Sequence, residues 1–410
     1  MTPKVRQAVI MVGGKGTRLR PLTDNCPKPI LPVLDKPCLE YFIDSIAKEG
    51  ITDVILACGY KSEYMASAIG DGSRQGISIT YSYENHPMGT AGAVKLLEDR
   101  LDDVFIAVNG DVFIDIDVGK EIRDHFEHDA SVTIALTTVS DPTQFGIVGL
   151  DDDGRVTRFK EKPKKEEAFS NLINAGVYVF NKDVLRFVPK GEPFDLSKDL
   201  FPILLENGYR LQGHRMDGHW RDVGRPYDLF HANLETAARK GSPDDSSIES
   251  CEISGTFYSG SRSKVSACCV KDTVIHGDCI VEDSMISDSL IMSHCNIHGA
   301  RIEGSILGKG CIVGKGAMLK DTVIGDGAII PDGMSIEGVI DRTAYKRKAV
   351  FIDRDDTIND DVGHCSLLIH LYLCLLEHLA YKEIAVSKMT EVRFACHKHR
   401  RSTQITDDCI

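Results

Sequence analysis

Between residue 7 and about residue 230, apolar runs of strand length alternate with helical patterns. The runs are Ala8–Val12, Val54–Ala57, Val104–Val108, Val132–Leu136 and Val177–Phe180, and Cys38–Lys48 is one of the helical stretches between them. This rhythm predicts a Rossmann-like α/β domain with a mixed, mostly parallel sheet and ligands at the carboxyl ends of its strands. The loop beginning at Gly13 sits at such an end.

The pattern changes after Lys240-Gly241-Ser242-Pro243-Asp244-Asp245-Ser246-Ser247, which has the polar, turn-rich composition of a linker. From about 250 to 340 aliphatic residues recur every five to six positions, often followed by glycine, as in Ile297-His298-Gly299, Ile302-Glu303-Gly304 and Ile324-Gly325. Aliphatic residues pointing inward with Gly, Asn or Asp at the corners predict a β-solenoid, here a left-handed parallel β-helix. The expected organisation is a catalytic domain over 1–235, a linker over 236–249 and a β-helix over 250–342. A short third segment covers 346–365, and an irregular tail covers 366–410.

A chain of 410 residues is too long for one core, in keeping with this division. The net charge of -13 excludes a nonspecific nucleic-acid binder, which needs a basic surface. Thirteen cysteines without a C-x-x-C pair read as thiols in a reducing compartment. No signal-peptide pattern opens the sequence, and the apolar stretch Leu367–Ala380 is too short to cross a bilayer, so a cytoplasmic protein without membrane contact is expected.

A basic loop in an acidic chain points to a small anionic ligand. The loop "MVGGKGTRLRPLT" at 11 to 23 fails the P-loop pattern, because Gly16 follows Lys15, and the dinucleotide fingerprint, because Leu19 stands at its last glycine. Gly13, Gly14 and Gly16 nevertheless let backbone amides approach a polyphosphate, and Arg18 can fork two of its oxygens.

Motifs further along the chain make the loop specific. Gly-Gly-x-Gly-Thr-Arg-Leu-x-Pro-Leu-Thr at 13 to 23 and Pro27-Lys28-Pro29 are succeeded in order by Gly89-Thr90-Ala91-Gly92, Asn109-Gly110-Asp111, Phe145-Gly146 and Glu161-Lys162-Pro163. Asn174-Ala175-Gly176-Val177-Tyr178 and Trp220-Arg221-Asp222-Val223-Gly224 complete the series. Over residues 5 to 235 the chain resembles the sugar-1-phosphate nucleotidyltransferases, and within them the mannose-1-phosphate guanylyltransferases and the related thymidylyl- and uridylyltransferases. The resemblance implies that Arg18 and Lys28 are catalytic and that Gly13, Gly14, Gly16, Thr17, Glu84, Gly89 and Thr90 bind the nucleotide. It also implies that Gly146, Glu161, Lys162, Asn174 and Gly176 bind the sugar phosphate, and that Asp111 and Asp222 hold Mg²⁺. The same residue types have plainer uses: a turn cap for either aspartate, a solvated turn for Lys28 and an exposed charge pair for Glu161 and Lys162.

In the implied reaction a sugar 1-phosphate attacks the α-phosphorus of a nucleoside triphosphate and pyrophosphate leaves, which requires positioning and charge rather than a protein nucleophile. Glu84 stands where the family reads the base. A carboxylate only accepts, and guanine offers two adjacent donors, so GTP with mannose 1-phosphate is expected. The alternatives are glucose-1-phosphate thymidylyl or uridylyl transfer and heptose-1-phosphate guanylyl transfer. A nucleotide-sugar-binding regulatory subunit is opposed by the intact Arg18, Lys28, Asp111 and Asp222.

The solenoid is expected to build a homo-oligomer. His276, His294 and His298 could serve an acyltransferase by residue type alone, and are expected to be corner or surface residues. "VFIDRDDTIN" is similar to the first motif of haloacid-dehalogenase-type phosphatases through Asp353, Asp355 and Thr357, with Asp356 in place of a glycine. About fifty residues remain beyond it where such a domain needs more than a hundred, so no phosphatase activity is expected.

Overall fold

The computed structural model describes residues 5–14, 16–59, 62–84 and 86–338. Lys15, the segment containing Asp353, Asp355 and Thr357, and the tail lie outside the described residues.

The strand Gln7–Val12 is buried along its whole length because layers cover both of its faces. Strand alternation sends Ala8, Ile10 and Val12 to one side, against Leu39, Phe42, Ile43 and Ile46 of the helix Cys38–Lys48. Val9 and Met11 point to the other, towards Ala91 and Val94 of the helix Gly89–Lys95. An uninterrupted apolar run is what a strand covered on both faces requires. Each fully buried aliphatic side chain contributes about 1.5–3 kcal/mol.

Gln7–Val12 is parallel to Asp53–Cys58 on one side and to Val104–Asn109 on the other, with Val9 opposite Ile55 and Ile10 opposite Val108. Ser78–Tyr83 extends the parallel half beyond Asp53–Cys58. In the other half Leu172–Asn181 runs antiparallel to Val104–Asn109 and to Val132–Thr138, and Gly146–Leu150 forms an antiparallel pair with Val156–Glu161. A separate ribbon pairs Val112–Ile116 with Gly218–Asp222. Successive parallel strands are thus added on one side of Gln7–Val12, as Asp53–Cys58 and Ser78–Tyr83, and then on the other, as Val104–Asn109, so the strand order switches between Gln7–Val12 and Val104–Asn109. The carboxyl ends of these two strands, at Gly13 and at Asn109-Gly110-Asp111, frame the switch-point crevice where open α/β sheets bind ligands.

From Ser247 onward short strands stack in parallel. Val265, Val281, Ile297, Val313 and Ile330 form one inward row, and Val270, Ile286, Ile302, Leu319 and Ile336 a second. Ile275, Ile291, Leu307 and Ile324 form the third. Left-handed backbone at the corners is taken by Asp278, Asp283 and Asp288 and by Gly299, Gly304 and Gly310, residue types that reach it at low cost. These are the rungs of the expected β-helix.

Two faces of this helix show a buried residue between exposed ones, but the third is buried at successive positions. Val274, Leu290, Ile306 and Val323 point outward there and pack under Leu229 and Phe230 of the helix Pro226–Lys240, together with Leu19 and Leu22 of the glycine-rich loop. The β-helix thus forms part of the bed on which that loop rests. His276 belongs to this covered face and is 2% exposed, which corrects the expectation of a corner or surface histidine. His294 is an exposed corner residue with φ 64, and His298 is exposed.

Candidate functional site

Lys28 opens a single 3-10 turn between Pro27 and Pro29, and its side chain is only 7% exposed. Its ammonium lies 3.1 Å from Asp111 Oδ2 and 3.4 Å from Asp222 Oδ1. Asp111 follows the strand Val104–Asn109, while Asp222 ends Gly218–Asp222 directly opposite Val112. Ribbon register therefore brings together two carboxylates that are far apart in sequence. Burial disfavours the Lys28 charge and is the largest single influence on it, but the charges of Asp111 and Asp222 together outweigh it and hold the pKa above the ordinary lysine value.

Two hard oxygen donors converging on one cation, in a crevice open on the Asp111 side, fit Mg²⁺, which takes one or two carboxylates and completes its shell with phosphate oxygens and water. Among the described residues no three metal-ligating side chains cluster. The fit is thus to a metal shared with a ligand rather than to a closed protein cage.

The glycine-rich loop approaches the same point. Gly13 and Gly14 face open space. Gly16, at φ 61, turns the loop onto Lys28, where a Cβ would lie 3.2 Å from the lysine Cβ, and the Thr23 hydroxyl donates to the Gly16 carbonyl at 2.9 Å. Leu19 anchors the loop in the core, leaving Thr17 and Arg18 exposed at the rim. Arg18 Nη2 and Asp222 Oδ2 would lie 3.2 and 3.0 Å from a Cβ on residue 224, so Gly224 leaves room for the guanidinium beside the carboxylate.

Glu84 and Gly89 lie at the approach to the helix Gly89–Lys95. Glu84 accepts the Met88 N–H at 3.1 Å through Oε2, and burial raises its pKa. One carboxylate oxygen is therefore already engaged in the turn. Gly89, at φ 71, lies so close to Phe194 that a Cβ would stand 2.6 Å from the Phe194 carbonyl oxygen. Thr90 Oγ1 donates to Asp195 Oδ2 at 3.1 Å and accepts the Leu196 N–H at 2.8 Å.

On the opposite wall Gly146 faces Glu161 across the hairpin, and a Cβ there would stand 2.8 Å from Glu161 Oε2. Burial, and then the charge of Asp195, raise the Glu161 pKa, while Lys162 and Lys198 pull it down. Lys162 is exposed, in left-handed backbone just beyond the strand. Asn174 Oδ1 accepts the Gly176 N–H at 2.9 Å, and its amide nitrogen donates to Tyr178 Oη and Ser197 Oγ at 2.8 and 3.2 Å. Trp220 Nε1 donates to the Ala175 carbonyl at 2.7 Å, which ties this bulge to the ribbon carrying Asp222.

The structure thus brings Arg18, Lys28, Asp111 and Asp222 together and sets Gly146, Glu161, Asn174 and Gly176 along a neighbouring wall. Sequence reading missed Asp195, Ser197 and Lys198, which join the Thr90 side to that wall. Their signal is an aspartate capping the turn Leu196–Leu200, a pattern shared with ordinary turns.

The nucleotidyl transferase family profile matches residues 7–239, and that of the GlmU-like C-terminal hexapeptide family matches residues 256–354. A UTP–glucose-1-phosphate uridylyltransferase of Synechocystis is 30% identical over 346 residues, covering 77% of this chain and 86% of that protein. A mannose-1-phosphate guanylyltransferase of Mycobacterium tuberculosis is 39% identical over 230 residues, covering 56% of this chain and 64% of that protein, just under two thirds of its length. A Bacillus anthracis structure designated a glucose-1-phosphate thymidylyltransferase superposes with a TM-score of 0.51 at 25% identity, covering 56% of this chain and 94% of that one.

Proposed function

This chain belongs to the nucleotidyl transferase family, and from that premise we propose that it transfers GMP from GTP to mannose 1-phosphate, forming GDP-mannose and pyrophosphate. The observation that carries the reading is the Lys28 ammonium held between Asp111 and Asp222 at the mouth of the glycine-rich loop.

In this reading residues 1–235 form the catalytic unit. The sugar phosphate is largely a dianion near neutral pH, since a phosphate monoester has its second pKa at about 6, and it needs no general base. The amides of Gly13, Gly14 and Gly16 cradle the polyphosphate with Thr17, and Arg18 takes the departing pyrophosphate. Lys28 neutralises charge gathering on the α-phosphoryl group. Asp111 and Asp222 would hold Mg²⁺, which supplies Lewis-acid charge neutralisation between the phosphates when bound. Glu84, Gly89 and Thr90 line the nucleotide side, and Gly146, Glu161, Lys162, Asn174 and Gly176 the sugar side. Glu161 accepts hydrogen bonds from the sugar hydroxyls and Lys162 meets the sugar phosphate.

Guanine recognition rests on Glu84 as an acceptor. The engagement of Oε2 with Met88, together with the uridylyltransferase named among the relatives, favours UTP with glucose 1-phosphate as the second reading. Pyrophosphate release over a grid of GTP, UTP and dTTP against mannose, glucose and heptose 1-phosphates separates the two.

The β-helix, assigned to 250–342, serves assembly in this reading. Ile280, Ile312 and Ile329 share one exposed column of rungs, a surface suited to a second copy of the chain. The nine described cysteines are free, which supports a reducing, cytoplasmic setting. No helix among the described residues is long and apolar enough to cross a membrane.

A further inference from the structure

Asp195 belongs to none of the motifs that mark the site, yet it stands between both of its halves. Its Oδ1 accepts the N–H groups of Ser197 and Lys198 at 2.9 and 3.0 Å, which shapes the turn Leu196–Leu200. Its Oδ2 accepts the Thr90 hydroxyl proton, and Thr90 Oγ1 takes the Leu196 N–H in return. Phe194 adds two backbone bonds to the same helix start: its N–H donates to the Met88 carbonyl at 2.8 Å, and its carbonyl accepts the Gly92 N–H at 3.0 Å. Far from reaching for a ligand, the Thr90 hydroxyl is spent on this joint.

The other end of the turn reaches the sugar wall. Ser197 Oγ accepts one Asn174 amide hydrogen, while the opposite edge of Asn174 holds Gly176. The charges of Asp195 and Lys198 both act on Glu161, so these residues lie close to its carboxylate. A continuous chain of hydrogen bonds therefore runs from Thr90 through Asp195 and Ser197 to Asn174.

We propose that Asp195 is a positioning residue that links the nucleotide and sugar-phosphate subsites, so that binding of either substrate strengthens binding of the other. The inference rests on the nucleotidyltransferase reading of the site. Displacement of the Gly89–Thr90 helix start by a nucleotide is passed to Leu196 and Ser197, because Thr90 is bonded directly to Asp195 and to the Leu196 N–H, and Asp195 directly to the Ser197 N–H. The sugar wall is thereby set before the sugar phosphate arrives. Reciprocity comes from linkage, since a coupling between two binding equilibria acts equally in both directions.

The test measures binding of mannose 1-phosphate by calorimetry, with Mg²⁺, in the absence and presence of the α,β-methylene analogue of GTP. Glucose 1-phosphate with the UTP analogue is run in parallel. Asp195→Asn disturbs the cap of the turn itself, so the informative variants are Thr90→Val and Ser197→Ala, which cut the path at either end and leave the cap in place. Wild-type affinity for the sugar phosphate is expected to rise at least about fivefold with the analogue bound. Each single variant is expected to bring that ratio close to one while still unfolding in a single cooperative transition, Ser197→Thr to restore it, and the double variant to add nothing further. A wild-type ratio of one, a Thr90→Val ratio equal to that of wild type, or independent multiplication of the two effects would overturn the inference. Failure of wild-type protein to release pyrophosphate with any substrate pair would overturn the functional reading itself, and the inference with it. Turnover without coupling sinks only the inference.

Discussion

His276 Nε2 lies 2.8 Å from Asn233 Oδ1, inside the contact between the β-helix and the helix Pro226–Lys240. The same oxygen accepts the Leu34 N–H at 2.7 Å, and the Asn233 amide donates to the Leu229 carbonyl at 2.9 Å, so the imidazole must supply the proton at Nε2. Burial, aided by the charge of Lys309, pushes the His276 pKa down to about 3. The folded protein therefore refuses a proton that the unfolded chain takes up near pH 6.5. Stability from this group is complete above that pH and is lost as pH falls towards 3, with a slope of about 1.4 kcal/mol per pH unit. Urea unfolding of wild type and His276→Gln at pH 7 and pH 5 checks this. Wild type should lose about 2 kcal/mol more than the variant between the two; parallel losses would show that His276 is not held neutral.

Lys28 separates two carboxylates that would otherwise repel across the crevice. Lys28→Ala should lower kcat about 10²–10³-fold, the loss seen when one preorganised transition-state donor is removed. It should also lower the Mg²⁺ concentration for half-maximal binding, because the ammonium no longer competes for Asp111 and Asp222. Steady-state kinetics and a Mg²⁺ titration followed by calorimetry read the two effects separately.

Glu84 offers only acceptors to a base. Glu84→Gln should reduce kcat/KM for GTP about 10–100-fold and raise that for UTP or dTTP, since a carboxamide both donates and accepts. Competition between the triphosphates in one reaction gives the ratio directly. An unchanged ratio would leave Glu84 as the cap of the Met88 turn and nothing more.

Glu161 has its pKa raised, first by burial and then by Asp195. It is thus protonated at a higher pH than an ordinary glutamate, and as pH falls it loses acceptor capacity for sugar hydroxyls. The KM for the sugar phosphate should rise on the acid side, and Glu161→Gln should remove that limb while giving a uniformly high KM. A pH profile of KM at saturating nucleotide distinguishes this from titration of the phosphate, which persists in the variant.

Much of this architecture is legible in the chain. The apolar runs of the central sheet and the recurrent aliphatics of the rungs each arise from local periodicity, and the motifs carrying Lys28, Asp111 and Asp222 stand out by their spacing. The covered face of the β-helix also has a local signal. Val274-Ile275, Leu290-Ile291, Ile306-Leu307 and Val323-Ile324 are doubled aliphatics at every rung, whereas the other faces interrupt such pairs with polar residues at some rungs, as in Lys264-Val265, Asn296-Ile297 and Arg301-Ile302. What stayed hidden depends on distant partners. His276 reads as a corner residue until the helix carrying Asn233 lies over it, and Asp195 reads as a turn cap until Thr90 arrives from a segment far away in sequence.

Nucleotidyl transfer at the Lys28, Asp111 and Asp222 crevice is read without intermediaries by product stoichiometry. GTP, mannose 1-phosphate and Mg²⁺ are incubated with wild type and with Asp111→Asn, and pyrophosphate and GDP-mannose are quantified together. Equal amounts of the two from wild type, with at least about a hundredfold loss in the variant, are expected. Pyrophosphate formed with GMP and no nucleotide sugar, or equal product from both proteins, would refute transfer at this crevice.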